Sequence, residues 1–97
     1  MSITALLELR LKPESLESGM RVLNDVLVAT RAFTGNEGVE VLIDTNDPAH
    51  VIVHETWASL EADAAYRAWR AGDGANNLRS VLAGAPVLTV LTPQIDV

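Results

Sequence analysis

The sequence predicts an α+β fold in the order β-α-β-β-α-β, a four-stranded antiparallel sheet with both helices on one face. Three observations carry this reading. Four short runs have strand character, with apolar residues falling on one parity. Two stretches between them carry apolar residues at helical spacing. An Asn46-Asp47-Pro48 turn signal joins the second and third runs directly, as a hairpin requires. Ninety-seven residues, 48% apolar and 21% charged, fit one domain and no more.

Residues 3–11, ITALLELRL, open the chain as a half-buried strand. Ile3, Ala5, Leu7, Leu9 and Leu11 share one face; Thr4, Leu6, Glu8 and Arg10 share the other. Lys12-Pro13 stops the strand, and Pro13 with Glu14 opens a helix over 14–33. Leu16, Met20, Leu23 and Leu27 form its stripe, widened by Val26 and Thr30, and Gly35 caps its end. The second strand is 38–45 and the third 50–57. Ser59 caps a helix over 60–71, with Ala62, Ala65, Tyr66 and Trp69 on its apolar stripe. Asp63 and Arg67 form an i, i+4 pair expected on its wet side. Gly72-Asp73-Gly74 interrupts, a short helix over 75–83 turns Ala75, Leu78 and Leu82 inward, and residues 87–92 are the last strand. The order is that of the ferredoxin-like fold.

The even-numbered sheet face sets Thr4, Leu6, Leu42, Ile52, Leu88 and Val90 among Glu8, Arg10, Glu40 and His54. It is too apolar to be left in water as one patch, and the same face of a second copy would cover it. A chain this short also buries only ~60–65% of its unfolded surface, so an interface would help. A homodimer is therefore expected. Mean hydropathy of +0.20 points the same way.

Thirteen acidic residues against seven basic ones leave a net charge of −6, which argues against nucleic acid and against an anionic membrane surface as partners. No apolar run approaches ~20 residues, and the N-terminus has no signal-peptide character, so a cytoplasmic location is expected. The absence of cysteine removes disulfides, Fe–S clusters and thiol nucleophiles. His50 and His54 lie about 13 Å apart along a strand, too far to share a metal, and no metal site is expected. His50 reads as a solvated turn residue and His54 as a polar contact in the dimer interior.

Glu55 shares the helix-facing side of its strand with Val51, Val53 and Trp57. A carboxylate there is either a desolvated general base or a structural acid bonded to Arg31 or a helix terminus. Trp57, Tyr66 and Trp69 converge on the space between sheet and second helix. Trp57 and Trp69 would stack on a planar ligand, and the Tyr66 phenol would donate to a substrate carbonyl or an anionic oxygen intermediate. Core packing is the alternative reading for all three rings.

The segment His54-Glu55-Thr56-Trp57-Ala58-Ser59, followed by an Ala-rich helix, resembles the E-x-W-x-S…H signature of antibiotic biosynthesis monooxygenase domains. Thr30-Arg31-Ala32-Phe33-Thr34-Gly35 is similar to the family's Thr-Arg-x-x-Pro-Gly, and Leu11-Lys12-Pro13-Glu14 to its V-K-P-G strand exit. The resemblance implies a dimeric α+β barrel, a small hydrophobic, aromatic or polycyclic substrate, and oxygenation with no flavin, haem or metal cofactor. Carried onto this chain, it makes Glu55 and Tyr66 the candidate catalytic residues and Trp57, Trp69 and Arg31 the candidate substrate-binding residues. Three positions depart from the pattern: Tyr66 stands where the family has His, Thr34 where it has Pro, and Asn36 where it has a small residue or Cys. Leu7, Tyr66 and Asn76 or Asn77 do not match the residues of the haem-degrading relatives. Two functions stay open: a cofactor-independent monooxygenase of an aromatic, quinol or polyketide-like compound, or a protein that binds or isomerises such a molecule.

Overall fold

The structure, a computed structural model, describes every residue from Met1 to Val97. It has the expected order, with β1 (Ile3–Arg10), α1 (Leu16–Ala32), β2 (Asn36–Asp44), β3 (Asp47–Trp57), α2 (Leu60–Ala71) and β4 (Val87–Leu91). The strands form one antiparallel sheet in the order β2-β3-β1-β4. No helix is long and apolar enough to cross a membrane.

Local chemistry explains most boundaries. Pro13 opens a single 3-10 turn, Pro13–Ser15, which leads into α1. Gly35 takes φ +91°, and a Cβ there would lie 2.5 Å from that of Ala62, so only glycine lets the start of α2 come this close. Ser59 caps α2 as expected, its hydroxyl accepting from the Ala62 N–H at 3.1 Å. The segment 75–83 is not a helix; it holds only a 3-10 turn, Leu78–Val81. The Asn76 side chain accepts the Leu78 N–H at 2.9 Å, and such local bonds compete with a helical ladder. Leu78 and Leu82 still turn inward, joined by Val81, whereas Ala75 is exposed.

Two buried clusters lie between sheet and helices. The larger joins Leu9, Leu11, Val51 and Val53 of the sheet side to Leu23 and Leu27 of α1 and to Leu78, Val81 and Leu82. The smaller joins Ile3, Ala5 and Trp57 to Tyr66 of α2. Glu55 falls between them on β3, flanked on its face by Val53 and Trp57.

Two details of the outer sheet face differ from expectation. Pairing sets Thr4 opposite Leu91, Leu6 opposite Thr89 and Glu8 opposite Val87. The outer face of β4 is thus Val87, Thr89 and Leu91, while Leu88 and Val90 share the helix side with Leu7 and Ala5. Residue parity cannot be carried across a loop, because loop length resets it. His50, for its part, is a strand residue rather than a solvated turn residue. Its ring bridges two carboxylates, Nδ1 meeting Asp44 at 2.8 Å and Nε2 meeting Glu8.

These contacts give a signed pH dependence. The hydrogen bond to Asp44, then that to Glu8, raises the His50 pKa above its ordinary 6.5. The same His50 contact, with the Asn46 N–H, lowers that of Asp44 below 3.8. The His50 contribution is fully present below 6.5 and fades as pH rises through the raised folded value; the Asp44 contribution is present above 3.8 and fades as pH falls. The melting-temperature gap between wild type and His50→Gln is expected to be larger at about pH 5.5 than at about pH 8.5. A gap that does not change with pH would contradict this role for the bridge.

Candidate active site

Where the two core clusters meet, the polar side chains form two connected groups. In the first, Arg67 of α2 donates from Nη2 to Glu55 Oε1 at 2.6 Å and to Asp63 Oδ1 at 3.0 Å. Trp57 Nε1 donates to the same Glu55 oxygen at 3.0 Å. Glu55 is 1% exposed, so burial of its charge is offset by two donors, one of them cationic. Asp63 is buried as well, which places the Asp63–Arg67 pair at the sheet rather than on the wet side of the helix.

In the second group the Tyr66 and Thr30 hydroxyls lie 2.6 Å apart. Thr30 donates to the Val26 carbonyl at 3.3 Å, so the phenol donates to Thr30 and accepts from Arg70 Nε at 2.7 Å. Arg70 also donates to the carbonyls of Val26 and Gly74 and to Thr30 Oγ1. Gly74 has no room for a side chain, since a Cβ would lie 2.3 Å from the Trp69 ring.

The aromatic side chains do converge, but they pack on one another. Trp57 and Tyr66 centroids are 4.8 Å apart, and Phe33 lies 5.3 Å from Tyr66, 5.4 Å from Trp69 and 6.2 Å from Trp57. Trp57 has no exposed surface at all. The expected pocket lined by Trp57, Tyr66 and Trp69 is therefore corrected: the three rings fill that space themselves. The open space adjoins Tyr66 elsewhere, as a cleft of about 330 Å³ between sheet and helices. Leu7, Val26, Leu78 and Leu82 supply its apolar wall, and Tyr66, Arg67, Arg70, Asn76 and Arg79 its polar groups. Of the five candidate residues, only Tyr66 lines it.

Glu55 stands behind Arg67 and reaches the cleft only through that guanidinium. Arg31 is not its partner. Arg31 is exposed, donates to the Val39 carbonyl at 3.4 Å and borders a separate hollow with Leu27 and Val41. Arg67 and Arg70 were not recognised from sequence as site residues. Their signal is spacing: both flank Tyr66 on α2, at one and four residues beyond it, and their guanidinium carbons lie 4.9 and 5.2 Å from its ring centroid.

A family model described as antibiotic biosynthesis monooxygenase matches residues 2–79. The chain belongs to this family. The fold agrees. SnoaB, described as a cofactor-independent oxygenase from Streptomyces nogalater and solved as a point mutant, superposes with a TM-score of 0.81 at 12% identity, over 96% of this chain and 93% of its own. A conserved protein from Methanosarcina mazei gives 0.82 at 16% identity, over 97% and 94%. Rv0793 from Mycobacterium tuberculosis gives 0.72 at 19% identity, over 97% and 96%. No curated protein matches the chain at a significant level. At these identities the three structures show a shared fold alone, and the cleft beside Tyr66 must be read from this chain's own residues.

Proposed function

We propose that this protein is a cofactor-independent monooxygenase of a small aromatic, quinol or polyketide-like compound, working as a homodimer. The cleft beside Tyr66, in a member of this family, is the observation that carries the reading. Such a substrate supplies its own electrons. Once a ring hydroxyl is ionised, the conjugated carbon passes one electron to O2. The radical pair then joins as a peroxide, which loses water to leave a carbonyl. One CH2 carbon and one O2 become one C=O and one water, and the four electrons come from that carbon.

Seven of the cleft residues have a part in this scheme. Leu7, Val26, Leu78 and Leu82 take the ring face. Arg67 and Arg70 stabilise the ionised substrate, and Tyr66 turns its proton from Thr30 to a substrate oxygen. Glu55 acts as a positioning residue that holds Arg67. No carboxylate or histidine lines the cleft, so the substrate proton leaves to water. That same observation favours the second reading, in which the molecule is bound or isomerised without oxygenation. Oxygen uptake with anthrone and naphthohydroquinone distinguishes the two. The proposal expects uptake above autoxidation, one O2 for each anthrone consumed; ligand binding with no enzyme-dependent uptake would favour the second.

The dimer reading rests on the outer sheet face, where Val87, Glu8, Ile52 and Leu42 lie side by side across four strands. Leu42, Val87 and Leu91 are 46%, 55% and 43% exposed in the single chain. Light scattering behind size exclusion is expected to give twice the chain mass, and Ile52→Asp to give one chain mass or aggregates, because an unpaired carboxylate would be buried at the contact. A wild-type monomer at micromolar concentration would remove this part of the proposal.

A further inference from the structure

We infer that the ligand of the cleft carries a carboxylate on its ring system, recognised by Arg70 and Arg79. The inference rests on the cleft beside Tyr66 being the substrate site, and it adds the charge of the substrate. Charge distribution is the first ground. The chain has seven basic side chains against thirteen acidic ones, yet three of the seven, Arg67, Arg70 and Arg79, line this one cleft and no acidic residue does. Outside the cleft, Arg10 pairs with Asp47 and Arg21 with Glu17, while the exposed Arg31 meets only the Val39 carbonyl.

The partners of the three cleft arginines are the second ground. Arg67 is neutralised by Glu55 and Asp63. Arg70 is part-buried, and every acceptor it meets is neutral: the Tyr66 and Thr30 hydroxyls and the carbonyls of Val26 and Gly74. It forms no salt bridge, and four bonds leave one of its five N–H groups unassigned. Arg79 is exposed at the cleft, and its side chain makes no hydrogen bond or ion pair. A part-desolvated guanidinium without a counter-ion is costly, and its planar fork matches a carboxylate. In a chain with a net charge of −6, two unpaired cations beside an apolar wall form a site that an aromatic anion completes.

Calorimetric titration of the purified protein with hydroxynaphthoate and with its uncharged methyl ester tests this directly. The acid is expected to bind about tenfold or more tightly than the ester, the worth of one good charge contact. Arg79→Gln is chosen because its side chain supports nothing else in the fold. It should reduce the preference to about threefold or less while leaving ester binding unchanged. Equal or tighter binding of the ester, an acid preference that survives Arg79→Gln, or no binding of either compound would overturn the inference. Acid-selective binding without oxygen uptake would instead leave it standing and remove the oxygenase reading. Uptake of neutral quinols with no preference for the acid would do the reverse.

Discussion

Trp57→Ala is expected to destabilise the protein by about 3–5 kcal/mol, the usual cost of emptying a fully buried large aromatic site. Trp57 has no exposed surface, packs its ring on Tyr66 and Phe33, and satisfies its indole N–H on Glu55. Truncation removes the apolar contacts and one of the two donors that hold a buried carboxylate. For a domain of this size each kcal/mol shifts the melting temperature by about 4–8 °C, so thermal unfolding should move by well over 10 °C. Had the ring lined an open pocket, as its place beside Glu55 suggested, the same change would weaken ligand binding and spare the fold. A shift of only a few degrees would return Trp57 to a ligand-facing role.

Glu55→Gln separates a base from a positioning acid. Gln keeps the shape and one acceptor but removes the charge opposite Arg67, whose side chain is three-quarters buried and retains only Asp63. Breaking a buried pair from one side costs about 3–5 kcal/mol, and the remaining carboxylate places this case toward the lower end of that range. Asp63→Asn should act in the same direction, and the two changes together should cost more than their sum, because the second removes the last counter-ion of Arg67. If Glu55 only positions Arg67, oxygen uptake measured well below the melting temperature should fall modestly, by about tenfold or less, and at higher substrate concentration should recover. If Glu55 is the general base, uptake should fall by about 10²–10⁴ at all substrate concentrations with little change in melting temperature. The second pattern would contradict the arrangement in which Arg67, and not Glu55, faces the cleft.

Much of the fold is legible in the sequence because it is written in local periodicity. The alternation through Ile3–Leu11, the Pro13 entry to α1, Gly35 and the Ser59 cap each depend on neighbours a few residues away. The parity of β4 is not local: its register is set by pairing with β1, and Val87 rather than Leu88 faces outward. The 75–83 segment carries leucines at near-helical spacing, but the Asn76 side chain takes the Leu78 N–H, the Ser80 hydroxyl takes the Asn77 carbonyl, and only one 3-10 turn forms.

The candidate site shows the same division. Parity alone placed Glu55 among the valines of β3, and the convergence of Trp57, Tyr66 and Trp69 followed from strand and helix faces. Whether converging rings leave a space or fill it depends on how four aromatic side chains pack, and Phe33, overlooked as a contributor, completes the filling. Arg31 is separated from Glu55 because it leaves the end of α1 toward Val39 of β2, while Arg67 rises from the helix that crosses directly over β3.

The location of the binding site is the claim on which the rest depends, and a titration followed by 1H–15N correlation spectroscopy tests it most directly. The two indole N–H signals and the arginine Nε–H signals report on separate places. On adding hydroxynaphthoate, the account predicts that the Arg67 and Arg70 side-chain signals and the amides of Ala75, Asn76 and Leu78 move, and that the buried Trp57 indole shifts least. Saturating shifts centred on the Trp57 indole and the amides of β2, with the Arg70 and Asn76 signals unmoved, would contradict it.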